Sequence, residues 1–70
     1  MTTADYITEK VYADSLELIA CGEEREYAFG LLIDAYPSVE AAAIREEMAQ
    51  ALHDALRQGV ERDDIDPSWF

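Results

Sequence analysis

Residues 37–59 read PSVEAAAIREEMAQALHDALRQG, and their pattern decides the fold class. Pro37 stops whatever precedes it, and the Ser38 hydroxyl is placed to accept from an orphan backbone N–H at the start of a new helix. Gly59 supplies a left-handed stop at the other end. Between them Ile44, Met48, Leu52 and Leu56 fall every fourth residue, with Ala41, Ala51 and Ala55 filling the same stripe. Glu40, Glu46, Glu47, Gln50, Asp54 and Arg57 take the opposite face. The spacing predicts an amphipathic helix over 39–58. Read as heptads, Ala41, Ile44, Met48, Ala51 and Ala55 occupy a and d positions, a pattern that serves a seam between protomers and packing inside one bundle equally well. Arg45 lies at the border of the stripe, where its stem covers apolar surface and its charge stays wet.

Working back towards the N-terminus, residues 23–36 read as a second helix with three glutamates, Glu23, Glu24 and Glu26, in its first turn, where the backbone dipole favours negative charge. Ala28, Leu31, Leu32, Ala35 and Tyr36 form one face, which Phe29 and Ile33 widen. So broad an apolar surface marks this helix as the central one. Gly30 in its interior is compatible either with a close backbone approach or with tolerated slack, at a cost of about 1 kcal/mol relative to alanine. Residues 3–21 read as a first helix, capped by Thr2 or Thr3, with Asp5 at its positive end and Cys21-Gly22 closing it. Ala4, Ile7, Val11 and Leu18 line one arc, and Tyr12, Leu16 and Ile19 a second beside it. Together they cover more of the circumference than a helix on the rim of a three-helix monomer needs. The second arc is either the edge of one wide core face or the seam of a homodimer.

After Gly59 the chain continues as an acidic and aromatic tail, residues 60–70. Asp66-Pro67 is a turn signal. Asp64, Asp66 and Ser68 begin like a calcium loop, but Trp69 stands where that loop requires glycine, and no bidentate glutamate follows. Trp69 and Phe70 either fold back as a lid over the bundle or anchor in a partner.

Seventy residues make one small domain, and chains of this size usually lean on disulfides, metal or partners. Cys21 is the single cysteine, so no intramolecular disulfide forms, and no Cys/His cluster offers a structural zinc site. Sixteen acidic residues against five basic ones leave a formal charge of −11, which makes contact with nucleic acid or an anionic membrane repulsive and favours a basic protein surface. No stretch is long and apolar enough to span a bilayer. The N-terminus carries no signal-peptide pattern, and one unpaired thiol fits a cytoplasmic protein.

Catalytic chemistry finds little support. His53 and Asp54 are neighbours in sequence and point about 100° apart on a helix, so they form no dyad. Cys21 has no basic neighbour or CxxC partner, and is expected to be buried or half-buried. Pairs such as Glu23/Glu24 and Glu46/Glu47 lie on solvent-facing arcs without a desolvated pocket. The expectation is a non-enzyme with no cofactor and no metal. Asp14-Ser15-Leu16 is similar to the Asp-Ser-Leu of acyl carrier proteins, which implies a phosphopantetheine arm on Ser15. This chain departs from that family in placing only thirteen residues before the motif and setting Ser15 in mid-helix.

The chain as a whole, on size and composition and without a motif, resembles the small acidic inhibitors of phages and mobile elements, including anti-CRISPR and anti-restriction proteins. That resemblance implies a non-enzymatic inhibitor set against a basic groove made for nucleic acid. The physical reason is independent of it: a rigid array of carboxylates competes for the cations that neutralise phosphates. Glu23, Glu24, Glu26, Glu40, Glu46, Glu47 and Asp54 would form the array, with Glu61, Asp63, Asp64 and Asp66 extending it and Trp69 and Phe70 as aromatic anchors. Few of these acids have a Lys or Arg four residues away. The whole reads as an all-α bundle of three helices that forms a homodimer through Tyr12, Leu16 and Ile19. Its leading function is inhibition of a nucleic-acid-processing complex by occlusion or subunit displacement. The alternative is a helical adaptor or regulatory subunit that binds a protein partner through its apolar seam.

Overall fold

The computed structural model describes residues 3–70, with side chains from Tyr6 onward. Thr2 lies outside the described residues, and the side chains of Thr3, Ala4 and Asp5, on which the capping and the first-turn placements rest, lie outside the described side chains. Three helices follow in chain order, α1 (Thr3–Ala20), α2 (Arg25–Ala35) and α3 (Ala41–Arg57), and then two single 3-10 turns, Arg62–Asp64 and Pro67–Trp69. The all-α, three-helix architecture is as the periodicity requires, and no strand occurs among the described residues.

Both glycine stops form. Gly22 takes φ 78° and Gly59 φ 101°. At each, paired bonds close the helix: Glu23 N–H to Leu18 O and Gly22 N–H to Ile19 O after α1, Val60 N–H to Ala55 O and Gly59 N–H to Leu56 O after α3. The helix starts differ from expectation. Ser38 does not cap α3: the N-cap is Glu40, which makes no side-chain bond to the helix. Residues 37–39 are spent instead on a turn, in which Val39 N–H donates to Tyr36 O. Likewise Glu24 is the N-cap of α2, so only Glu26 of the three glutamates lies inside its first turn.

The main packing is α1 against α3, with α2 contacting both to a lesser extent. On α1 the fully buried residues are Val11, Ser15 and Ile19. At 100° per residue, Ser15 falls between the two apolar arcs, and its hydroxyl is what makes them look separate in the sequence. In the fold they are one face. Ser15 goes inside by donating its hydroxyl to Val11 O at 2.7 Å, so no buried polar side-chain atom is left unpartnered among the described residues. Ile19 is 1% exposed and Tyr12 and Leu16 are half-buried against the same core, so the three residues expected at a dimer seam are used within one chain. On α3 the buried set is Ile44, Met48, Ala51 and Ala55, which turns the heptad stripe inward, while Ala41 stays exposed.

The second helix is not central. It buries only Ala28 and Leu32, and leaves Tyr27 and Leu31 exposed. Counting apolar residues overstated its place because α1 and α3 are longer and offer small residues at their buried faces, which lets them pair directly. Gly30 meets nothing within 4 Å, so it is slack rather than a point of close approach.

The tail folds back. Ile65 and Trp69 join the core, and the Trp69 indole N–H donates to Glu23 O at 2.9 Å. The Ser68 hydroxyl accepts from Arg25 N–H at 2.7 Å, giving α2 the cap that Glu24 does not supply. Phe70 stays half outside under the Arg62 guanidinium.

Trp69 is the only tryptophan, so its fluorescence reports the docking of the tail. In urea, its emission is expected to shift in the same transition as the helical circular dichroism signal, and Trp69→Ala to cost about 3 kcal/mol or more. At Ser15, alanine is expected to be nearly neutral, since the hydroxyl answers only its own burial, whereas leucine overpacks the α1–α3 contact and costs about 1–3 kcal/mol.

Candidate functional site

The surface is best read from its cations, because there are only five. Lys10 leans over the Tyr6 ring at 4.9 Å. Arg45 stacks on Phe29 at 3.9 Å and Arg62 on Phe70 at 4.1 Å. Arg25 and Arg45 also converge on one carboxylate, Glu26, at 3.3 and 3.4 Å. These are the only ion pairs within 4.0 Å among the described residues. Arg57 lies close enough to Asp54 to help hold that carboxyl charged.

The expected carboxylate array therefore divides. Glu26 is neutralised in place, chiefly by the Arg45 hydrogen bond, which holds its carboxyl below the ordinary range. Asp54 is taken up internally: the Tyr12 hydroxyl donates to it at 2.5 Å and Gln50 Nε2 at 3.0 Å. Asp66 accepts from Ser68 N–H and shapes the last turn. Trp69 is enclosed, so of the aromatic pair only Phe70 faces outward. What remains open is Glu24, Glu40, Glu46, Glu61, Asp63 and Asp64, all exposed, with Glu23 and Glu47 half-buried. Burial, and then the neighbouring Glu46, push the Glu47 carboxyl upward. The tail bonds bring residues 68 and 69 onto the start of α2 beside Glu23 and Glu24. Glu40 is the N-cap of α3.

Sequence reasoning missed two tyrosine–carboxylate bonds. Besides Tyr12 to Asp54, the Tyr36 hydroxyl donates to Asp14 at 2.5 Å, tying α2 to α1, and this bond pushes the phenol up to about 12. Each partner sits on the edge of an apolar stripe, which was the available signal, but the pairing across 42 and 22 residues depends on helix packing. It also missed a groove of about 270 Å³ between α1 and α2, floored by Leu18, Leu31, Leu32 and Ala35. Cys21, expected to be buried or half-buried, is exposed at this groove. A tighter cleft of about 140 Å³ lies under Arg25 and Arg45, against Met48, Leu52 and Trp69.

His53 is exposed, and no group of three or more His, Cys, Asp or Glu converges to hold a metal among the described residues. No helix there is long and apolar enough to cross a membrane. Ser15 is 0% exposed, so it cannot carry the arm that the acyl carrier resemblance implied. Compared with protein-family models, curated proteins and solved structures, the chain finds no match.

The tyrosine pairs give the fold a pH signature. The Tyr12 hydroxyl, more than any other group, holds Asp54 below its ordinary value of 3.8, and the Ser68 backbone N–H does the same for Asp66. Their contribution is present above that ordinary value and lost as pH falls through the lower folded values. Glu47 acts in the opposite sense, since a raised carboxyl relieves its burial on protonation. Urea midpoints of wild type and Tyr12→Phe are thus expected to differ at neutral pH and to converge below about pH 4. Tyr36, raised from 10.0 to about 12, stabilises below pH 10, and that stabilisation is lost as pH rises from there to about 12. Tyr36→Phe is expected to abolish this alkaline loss.

Proposed function

We propose that this chain is a non-enzymatic inhibitor that lays its open carboxylates against a basic surface of a nucleic-acid-processing complex. The observation that carries this reading is the way the positive charges are spent. Four of the five cations lean on rings or on Glu26, and the fifth supports Asp54. Glu24, Glu40, Glu46, Asp63 and Asp64 are exposed with no ion pair. Surface ion pairs contribute little to stability, so local pairing at Glu26 matters more for removing cations from the outer field than for holding the helices together. A basic groove made for phosphates would meet a largely uniform negative face, which raises the encounter rate and occludes nucleic acid.

The adaptor alternative loses the seam it started from, because Tyr12, Leu16 and Ile19 pack within the bundle. The homodimer expected from that seam loses the same support.

Capture of a partner from a host lysate, followed by titration of the purified pair with salt, tests the inhibitor reading. The affinity is expected to fall about tenfold or more between roughly 50 and 200 mM salt, as it does for contacts that replace phosphates. Glu46→Lys with Glu47→Lys is expected to slow association by about tenfold and flatten the salt dependence. Binding that ignores both would overturn the proposal.

A further inference from the structure

The groove between α1 and α2 joins an aliphatic floor to an acidic rim. Its floor is aliphatic: Leu18 from α1, and Leu31, Leu32 and Ala35 from α2. Leu31 is 41% exposed, and Tyr27, one turn before it, is 56% exposed, so apolar area continues beyond the groove itself. Asp14 and Glu17 form the α1 rim, and no Lys or Arg lines it. Asp34, three residues after Leu31 and exposed, continues the negative charge on the α2 side. The cations are elsewhere. Arg25 and Arg45 meet Glu26 on the flank of α2 that carries Phe29, away from Leu31, and Arg62 is on Phe70 in the tail. Lys10, one turn before Asp14, is drawn back over Tyr6, and Arg57 lies by Asp54 on α3.

We infer that this groove docks one amphipathic helix of a basic partner protein, with its apolar residues on Leu18, Leu31 and Ala35 and its lysines or arginines against Asp14, Glu17 and Asp34. Two neighbouring helices with an open seam accept a third helix through apolar residues at i, i+3, i+4 and i+7, whereas strand addition needs a sheet edge, and the described residues contain no strand. A second copy of this chain fits poorly, because a chain of charge −11 would set acid against acid along both rims. The groove is separate from the open carboxylates of α3, so it would give the charge-steered encounter a second, salt-resistant anchor.

The probe is a synthetic helical peptide with leucines at i, i+3, i+4 and i+7 and lysines flanking them. Two control peptides replace either the leucines by serine or the lysines by glutamate. Amide NMR shifts map the site, and alkylation of Cys21, the single and exposed cysteine at the groove, reports its cover. The leucine–lysine peptide is expected to shift Leu18, Leu31 and Ala35, to slow alkylation of Cys21, and to outbind both controls by about tenfold or more. Leu31→Asp is expected to weaken it about tenfold, and Leu31→Ala to weaken it less with the helical signal unchanged. Glu46→Lys with Glu47→Lys is expected to leave it nearly unaffected, so this result stands or falls apart from the salt test of the carboxylate face. Equal binding of either control, shifts confined to α3, undiminished binding by Leu31→Asp, or self-association through the groove would each overturn the inference.

Discussion

Ser15 on α1, with Ala51 and Ala55 on α3, are small residues buried on the faces where the two longest helices meet. Small side chains let helix axes approach, and close approach is what a 70-residue chain needs when its single cysteine allows no internal disulfide. The arrangement tolerates a hydroxyl in the core because Val11 O accepts from it within the same helix. A buried hydroxyl without that acceptor would cost about 1–3 kcal/mol, a large part of the stability of so small a domain. Once α1 and α3 are joined in this way, Val11, Ser15 and Ile19 are buried, while Leu18 of the same helix still opens onto the α1–α2 groove.

The same pairing explains why α2 is held by ties at its two ends. It has eleven residues, buries two of them, and begins without a side-chain cap of its own. The tail supplies what is missing: Ser68 caps Arg25 N–H, and Trp69 fills the core beside it while its indole holds Glu23 O. At the far end Tyr36 ties α2 to Asp14 of α1. Between these ties α2 shows Tyr27 and Leu31 to solvent, and the groove under Leu31 is the result.

Period alone was enough to read three helices and their glycine stops, because the 3.6-residue repeat and a left-handed glycine are local properties of the chain. The order of packing was not legible. A hydroxyl in the middle of α1 counts as a break in an apolar stripe; the Val11 carbonyl is within its reach in any helix, but only the α1–α3 packing puts it inside. Ser38 likewise has the chemistry of a cap, but whether residue 38 or residue 40 begins the helix depends on where Val39 is drawn by the core. Of the carboxylates, sequence could show the excess and the shortage of basic residues at helical spacing. It could not show that Asp54 and Asp66 are bonded inside the fold, since their donors, Tyr12 and Ser68, are set in place by the tertiary packing and the tail turn. Cys21 reads as a small apolar residue, yet it falls just past the last turn of α1, where the chain turns away from the core.

Charge and fold are connected through the aromatic residues. An arginine stacked on a ring keeps its charge, but its position is fixed, and here Phe29 and Phe70 fix Arg45 and Arg62 on the α2–α3 flank and the tail. Glu26 adds Arg25 to the first of these and cancels one unit of the charge so gathered. With Arg25, Arg45 and Arg62 held there, Arg57 is the basic residue left among the acids on the outer arc of α3, and no Lys or Arg lines the α1–α2 groove. A field of one sign is useful for steering only if its carriers stay fixed while a partner approaches. Helical carboxylates on α3, which packs along α1 and shares a cleft with Trp69 of the docked tail, meet that condition; carboxylates on a frayed terminus would not.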